Sequence, residues 1–283
     1  MKESSFAENW QAYFLLTIGV AILVFPVYIA LIGSTWDAGT IARGQMPLYP
    51  GPDGIANYIQ AWGSGSGQRV MGFPAERMVM NSLIMALAIS LGKIAISIFS
   101  AYAVVFFSFP GRMFFFWMIF VTLMLPVEVR IIPTYKVVTD MGMIDSYLGL
   151  TIPLIASATA TLLFRQFFLT IPDELVEASR IDGAGPMRFF WDTVLPLSRT
   201  NIAALFVIMF IYGWNQYLWP LLITTSKEMG TIVIGIVKMI GTGDAQTDWQ
   251  IIMAATIMAM LPPVMIVIFM QRWFVKGLVD SEK

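Results

Sequence analysis

Tyr13-Phe14-Leu15-Leu16-Thr17-Ile18-Gly19-Val20-Ala21-Ile22-Leu23-Val24-Phe25-Pro26-Val27-Tyr28-Ile29-Ala30-Leu31-Ile32 contains no charged residue. A bilayer core takes about 20 apolar residues per helix, so the stretch reads as one membrane crossing. It is longer than the apolar region of a secretory signal, and Lys2, Glu3 and Glu8 before it are not a basic start. A retained anchor is therefore expected. Composition agrees: 58% of the 283 residues are hydrophobic and 12% charged. Soluble domains carry about a quarter charged residues, so the surplus apolar surface here must face lipid.

Working outward, further apolar stretches occur at 80–107, 113–132, 148–164, 202–224 and 251–270. The expected fold is all-α: a polytopic membrane domain over 13–271 with six crossings, flanked by short ends at 1–12 and 272–283. A polar loop rich in Gly and Pro joins the first two spans. Lys93 is the one charge in the second span. A helix of about 20 residues from Met113 reaches Ile132 and puts Glu128 and Arg130 in its last two turns, near the membrane face opposite Arg112. Asn215 and Gln216 interrupt the fifth span. Pro262-Pro263 interrupts the sixth, where a kink is expected. Six crossings put both termini on one side. Nine Lys and Arg in the ends and loops fall on that side and seven on the other, a weak lean toward cytoplasmic termini. No internal repeat or low-complexity tract is present.

Several chemistries are excluded. There is no cysteine and no histidine, which removes disulfides, thiolate and imidazole metal sites, and Ser–His or Cys–His catalysis. No catalytic residue and no metal site is assigned. No G-x-x-x-x-G-K-[ST] loop occurs; Gly92-Lys93-Ile94 lacks both the first glycine and the hydroxyl. Any ATP must be held by another chain. A net charge of −1 gives no electrostatic case for nucleic acid.

Charge gathers between the fourth and fifth spans, at 165–200. Pro172 suits a first helical position, and Asp173 and Glu174 sit well at the positive end of the helix dipole. Leu175, Val176, Ser179 and Ile181 fall broadly on one side at helical spacing. Gly183 is a natural left-handed stop. Pro186 restarts a helix bearing Phe189, Phe190, Val194 and Leu195, and Pro196 ends it. The expected shape is a short helix, a glycine turn and a second helix along the membrane surface. Read from the residues alone, this is an interfacial connector.

The same residues resemble a signature. Glu177-Ala178-Ser179, then Asp182-Gly183-Ala184, then Leu195-Pro196 looks like the EAA motif of binding-protein-dependent ABC importer permeases. Ser179 departs from it, since the family usually has a second alanine there. Asn81-Ser82, Leu125-Pro126, Ile132-Pro133 and the stretch from Trp214 to Pro220 are similar to the maltose-type permeases of that family. The resemblance covers nearly the whole chain. Met124 to Arg130, Arg180 to Phe190 and Gly277 to Lys283 look like permeases of glycerol-3-phosphate importers. The resemblance implies a cytoplasmic coupling helix that docks in an ATPase cleft, with Glu177, Ala178, Ser179, Asp182, Gly183 and Ala184 at the contact. It implies a bacterial inner-membrane location and cytoplasmic termini. The implied partners are a second, different permease, two copies of a nucleotide-binding subunit that use ATP and Mg, and a periplasmic solute-binding protein. This chain would bind no cofactor itself.

Lys93, Glu128, Arg130, Asn215 and Gln216 are the candidate substrate-path residues. A lysine at mid-bilayer costs roughly 2.5–3.5 kcal/mol on insertion scales, so Lys93 should face the bundle or a wet cavity. It reads as a phosphate contact or a brace in the translocation path, or else as a lysine paired to the partner permease or snorkelling towards the surface. Glu128 and Arg130 are two apart, so they need different partners. Asn215 and Gln216 read as gating or interhelical hydrogen-bonding groups. Trp214, Tyr217 and Trp219 read as an interfacial aromatic belt. A sugar or glycerophosphodiester cargo, a stand-alone secondary transporter or channel, and a membrane enzyme remain as alternatives.

Overall fold

A computed structural model of the chain describes residues 10–63, 74–122, 125, 127–240 and 247–280, the side chains at 127, 128 and 272–280 excepted. The described residues form helices and no strand. In order these are α1 (Trp10–Gly33), α2 (Ala38–Ala42), α3 (Gly54–Gly63), α4 (Ala75–Phe106), α5 (Arg112–Val121), α6 (Val127–Asp140), α7 (Tyr147–Thr151), α8 (Ala158–Phe168) and α9 (Asp173–Ile181). Then come α10 (Pro186–Phe189), α11 (Leu195–Leu197), α12 (Arg199–Trp214), α13 (Leu218–Ile223), α14 (Ile232–Met239) and α15 (Trp249–Asp280). The chain divides into two compact units, Met1–Met78 with Gly235–Leu261 and Val79–Ile234 with Pro262–Lys283.

Among the described residues, three helices are long and apolar enough to cross a membrane: Trp10–Gly33, Ala75–Phe106 and Trp249–Gln271. Two bent pairs bring the number up to five, Tyr147–Leu154 with Ala158–Phe168 at 47° and Pro186–Leu197 with Arg199–Trp214 at 71°. The apolar runs at 13–32 and 251–270 lie in unbroken helices, as does the run from residue 80 as far as Phe106. Pro262 and Pro263 lie inside α15, which runs on past them.

The stretch from Met113 to Ile132 is not one helix. α5 stops at Val121 and α6 starts at Val127. Pro126 has no N–H to continue a helix and disfavours helical geometry at Leu125 before it. Arg130 therefore sits in the first turn of a new helix rather than near the end of an old one. The fifth stretch also divides, into α12 and α13, with Asn215 as the C-cap of α12.

In the first unit, only Ile32 and Gly33 of α1 are buried. The polar loop after α1 folds back on that end. Asn57 Nδ2 donates to the carbonyls of Ser34 and Trp36, both at 3.0 Å. Trp36 Nε1 donates to Tyr49 O at 2.9 Å. Ala61 packs with Ile251 and Ala254.

The second unit is built around α4. Asn81 Nδ2 donates to Glu228 O at 2.8 Å and Gly230 O at 2.9 Å, while its Oδ1 accepts from Tyr147 Oη at 2.6 Å. Ser82 Oγ accepts from Ile232 N at 2.9 Å. Further along, α12 comes close because residue 213 is glycine; a Cβ there would stand 3.0 Å from Ala86 Cα. The Asp145 carboxylate accepts from Thr225 N at 2.7 Å, Ser226 N at 2.9 Å and the Thr225 hydroxyl, clamping its turn to residues 225–226. Desolvation alone would raise the Asp145 pKa, but the hydrogen bonds from Ser226 and Thr225 outweigh it and hold the carboxyl below its usual value.

Two stability outcomes follow. Asn81→Ala leaves buried carbonyls and a tyrosine hydroxyl without their partner, and should cost about 1–3 kcal/mol, read as a lowered thermal midpoint of the purified protein. A depressed carboxyl pKa stabilises fully above about pH 4 and loses that contribution as pH falls through the folded value. Asp145→Ala should therefore lower the midpoint at pH 7 and flatten the fall in midpoint on the acid side.

Candidate functional site

The connector at 165–200 begins where α8 ends. Pro172 is the N-cap of α9, not its first helical residue; its ψ of 140° keeps it outside the helix. Asp173 and Glu174 occupy the first turn and Arg180 the last, both favourable for the helix dipole. Gly183 has φ +72° and reverses the chain. Pro186 opens α10, a π-turn spans Phe190–Val194, and α11 follows. Pro196 does not end the helix. The widened π-turn just before it accommodates the proline ring and its missing N–H, and the helix runs on to Leu197.

No residue of α9 is buried. Val176 and Ser179 are half-buried and line a cavity of about 310 Å³ with Tyr102, Phe106 and Phe189. Ile181 was expected on the same side, but it is 86% exposed. Five residues on from Val176, it lies about 140° round the helix. Glu177, Ala178, Asp182 and Gly183 are also exposed, while Ala184 is half-buried.

The second helix of the connector is anchored firmly. Phe189 and Phe190 are buried in a cluster with Tyr102, Phe164, Phe168 and Met209. Phe99 stacks on Phe190 at 4.9 Å between ring centroids, and Phe106 meets Phe189 edge-on at 5.3 Å. Tyr102 Oη donates to Pro186 O at 2.6 Å. The result is an exposed helical tip on a buried aromatic hub made largely by the end of α4.

The other site surrounds Lys93. Its residue is 6% exposed, and Nζ lies 3.7 Å from the centroid of the Tyr212 ring. Lys93 and Tyr212 line a cavity of about 670 Å³ with Ser100, Arg130, Ser157, Thr159 and Thr161. A smaller cavity of about 140 Å³ shares Lys93, Arg130 and Tyr212 and adds Gln216 and Trp219. Ser97 Oγ donates to Ser157 O at 3.1 Å, tying α4 to the break before α8. Neither Lys93 nor Arg130 has a salt-bridge partner among the described residues. Among those residues no group of three or more carboxylates could hold a metal ion.

Of the five candidate path residues, the structure brings three to this place. Lys93 and Arg130 line both cavities and Gln216 the smaller one. Gln216 Nε2 also donates to Tyr212 O at 3.1 Å. Asn215 is exposed and lines neither. The Glu128 side chain lies outside the described residues. The belt expected from the tryptophans is corrected: Trp214 and Trp219 are each 3% exposed. Trp214 stacks on Phe210 at 5.8 Å, and Trp219 Nε1 donates to Gly149 O at 3.0 Å. Tyr212 and the hydroxyls were not singled out from sequence. One signal was available: Ser100 is seven residues after Lys93, on nearly the same helix face.

Residues 70–280 match the family described as "Binding-protein-dependent transport system inner membrane component". The chain belongs to that family. It is 60% identical over 272 residues to the "sn-glycerol-3-phosphate transport system permease protein UgpE" of Agrobacterium fabrum, covering 96% of each chain. The proteins of the same name from Brucella melitensis and Yersinia pestis are 57% identical over 283 residues and 58% over 271, covering 100% and 96% of each chain. A crystal structure of a bacterial ABC transporter involved in the import of the acidic polysaccharide alginate shares the fold. Its TM-score is 0.82 at 19% identity, over 97% of this chain and 99% of that one. The family settles the class: an inner-membrane transport component, in agreement with the helices of membrane-spanning length.

The hub and the tip of this permease should respond differently to mutation. Phe190→Ala, at a fully buried ring, should lower stability by about 3–5 kcal/mol. Ile181→Ser, at an exposed side chain, should stay within about 0.5 kcal/mol of the parent. Thermal unfolding of both purified variants checks the contrast.

Proposed function

We propose that this chain is one permease subunit of an ATP-driven importer and passes sn-glycerol-3-phosphate across the inner membrane by alternating access. A second permease completes the path, and two ATPase subunits bind ATP and Mg from the cytoplasmic side. A periplasmic binding protein delivers the cargo. Both termini are cytoplasmic, and the chain holds no cofactor of its own. The cargo is supported by full-length similarity to permeases named for glycerol-3-phosphate.

The observation that carries the coupling role is the exposed α9 on its aromatic hub. α9 offers Glu177, Ala178 and Asp182 to a partner and ends at a glycine with φ +72°. Phe189 and Phe190 fix the following helix to α4 and α12, so a push on the tip reaches the cavity walls without being absorbed by a loose joint. Ser179 in place of alanine is half-buried and small, which leaves the docking face unchanged.

The chain alone should hydrolyse no ATP, and co-expression should yield a complex with one other permease and two ATPase subunits. Gly183→Val forces a branched residue into the left-handed region, at about 1–3 kcal/mol of local strain. Glu177→Ala removes a charged contact with little change in helix propensity. Both should lower uptake and binding-protein-stimulated ATP hydrolysis together while membrane insertion stays normal. Parental coupling in both assembled variants would reduce the loop to a connector.

A further inference from the structure

Two cations share one cavity, and no carboxylate among its described lining residues neutralises them. Lys93 and Arg130 both line this space, and like charges repel more strongly where water is scarce. What holds Lys93 is a ring. Nζ lies 3.7 Å from the Tyr212 centroid, an attraction to the negative ring face that leaves the net positive charge in place. A buried lysine that served only as a brace would gain most from a carboxylate partner.

The hydroxyls around the cavity have a complementary bias. Ser100 Oγ donates to Ile96 O at 2.8 Å, Thr122 Oγ1 to Ile119 O at 2.6 Å and Thr161 Oγ1 to Ser157 O at 3.0 Å. Their protons are engaged, so each oxygen remains as an acceptor. A fully ionised phosphate has no proton to give them and turns to the ammonium and the guanidinium. A polyol's hydroxyls can donate to them. The cavity therefore combines cations for an anionic head with acceptors for a hydroxylated tail.

We propose that the cavity lined by Lys93, Arg130 and Tyr212 is a transit station for a small phosphomonoester, with the phosphate on the two cations and alcohol groups toward the serine and threonine oxygens. The proposal rests on the transport reading above and deepens it, since it places the cargo's charged end on named residues of this chain. Arg130 supplies a forked pair of donors and Lys93 a tethered point charge. Tyr212 is a positioning residue: its ring keeps the ammonium in the cavity.

The absence of cysteine in the chain provides the test. Thr159 lines the cavity and is exposed, so Thr159→Cys places a single reporter thiol there. The assembled transporter is treated with an anionic and a cationic methanethiosulfonate of similar size, and the complex without Thr159→Cys supplies the blank. The anionic reagent should be favoured about tenfold over its preference for a free thiol, because the cavity concentrates negative charge. sn-Glycerol-3-phosphate and inorganic phosphate should slow the labelling, and glycerol should not. Lys93→Met with Arg130→Gln should abolish both effects, while Lys93→Arg should retain them. Co-purification of the partner subunits checks assembly for each variant.

A charge preference that is missing, or that survives the double substitution, overturns the station. So does a preference without protection by sn-glycerol-3-phosphate in a complex that imports it. If the complex imports no sn-glycerol-3-phosphate but inorganic phosphate still protects the thiol, the cargo assignment fails and the anion station stands.

Discussion

A peptide N–H or C=O left without a partner in hydrocarbon costs several kcal/mol, so backbone can be irregular at membrane depth only where protein or water closes it. Two of the places where the second unit breaks its α-helices are 152–157 and 215–217. Each break is capped by side chains within it and from neighbouring helices. Ser157 Oγ accepts from Ala160 N at 3.3 Å and Ser97 Oγ donates to Ser157 O at 3.1 Å. Trp219 Nε1 donates to Gly149 O, and Gln216 Nε2 to Tyr212 O. The polar groups that make the breaks tolerable are the same groups that line or adjoin the cavities. The cavity's chemistry is thus a consequence of where the helices are allowed to break.

α4 joins the aromatic hub under the connector to the cavity around Lys93. Its first turns are tied through Asn81 and Ser82 to residues 228–232. Lys93 lies at its middle, over Tyr212 of α12. Its last turns carry Tyr102 and Phe106 into the hub that holds α10. Lys93 and Tyr102 are nine residues apart, about 14 Å along the axis of a straight helix. A rotation imposed at the hub therefore turns the cation as well, because a helix with its ladder intact does not absorb torsion in so short a length. Close contacts at Gly213 and Gly92, where a Cβ would meet Ala86 and Ile155, keep neighbouring segments engaged with α4 along the way.

The sequence reading succeeded where one local rule decides. Unbroken apolar length identified α1, α4 and α15, and the need for positive φ identified Gly183. It failed where two rules compete. From Met113 to Ile132 hydropathy favours one helix and Pro126 favours two, and the proline prevailed. Trp214 and Trp219 have the composition of an interfacial belt, yet their rings are spent on Phe210 and on the Gly149 carbonyl. Gly149 lies 70 residues before Trp219, and no short window of residues contains both. Ile181 was placed by hydrophobicity rather than by angle, and the angle was decisive. Lys93 was legible because a lone charge in an apolar run demands an explanation; Tyr212 was not, because a tyrosine there demands none.

The pairing of Lys93 with Tyr212 shows how a buried lysine can keep a usable charge. A carboxylate would stabilise Lys93 more, but it would neutralise the site and compete with any anionic cargo. An aromatic ring stabilises a desolvated cation by about 2 kcal/mol, comparable with the insertion penalty of a lysine, and leaves its charge standing. The remaining deficit lies in the repulsion between Lys93 and Arg130, which an anion relieves when it enters and restores when it leaves. The proposed station would bind because it is unbalanced, and would release when the helices carrying the two cations part. Arg130 opens α6 and Lys93 belongs to α4, so the cations ride on separate elements. α5 ends at Val121 and α6 begins at Val127, a division that the apolar pattern concealed, so Arg130 has an element of its own, and that independence is what a station emptied by helix motion requires.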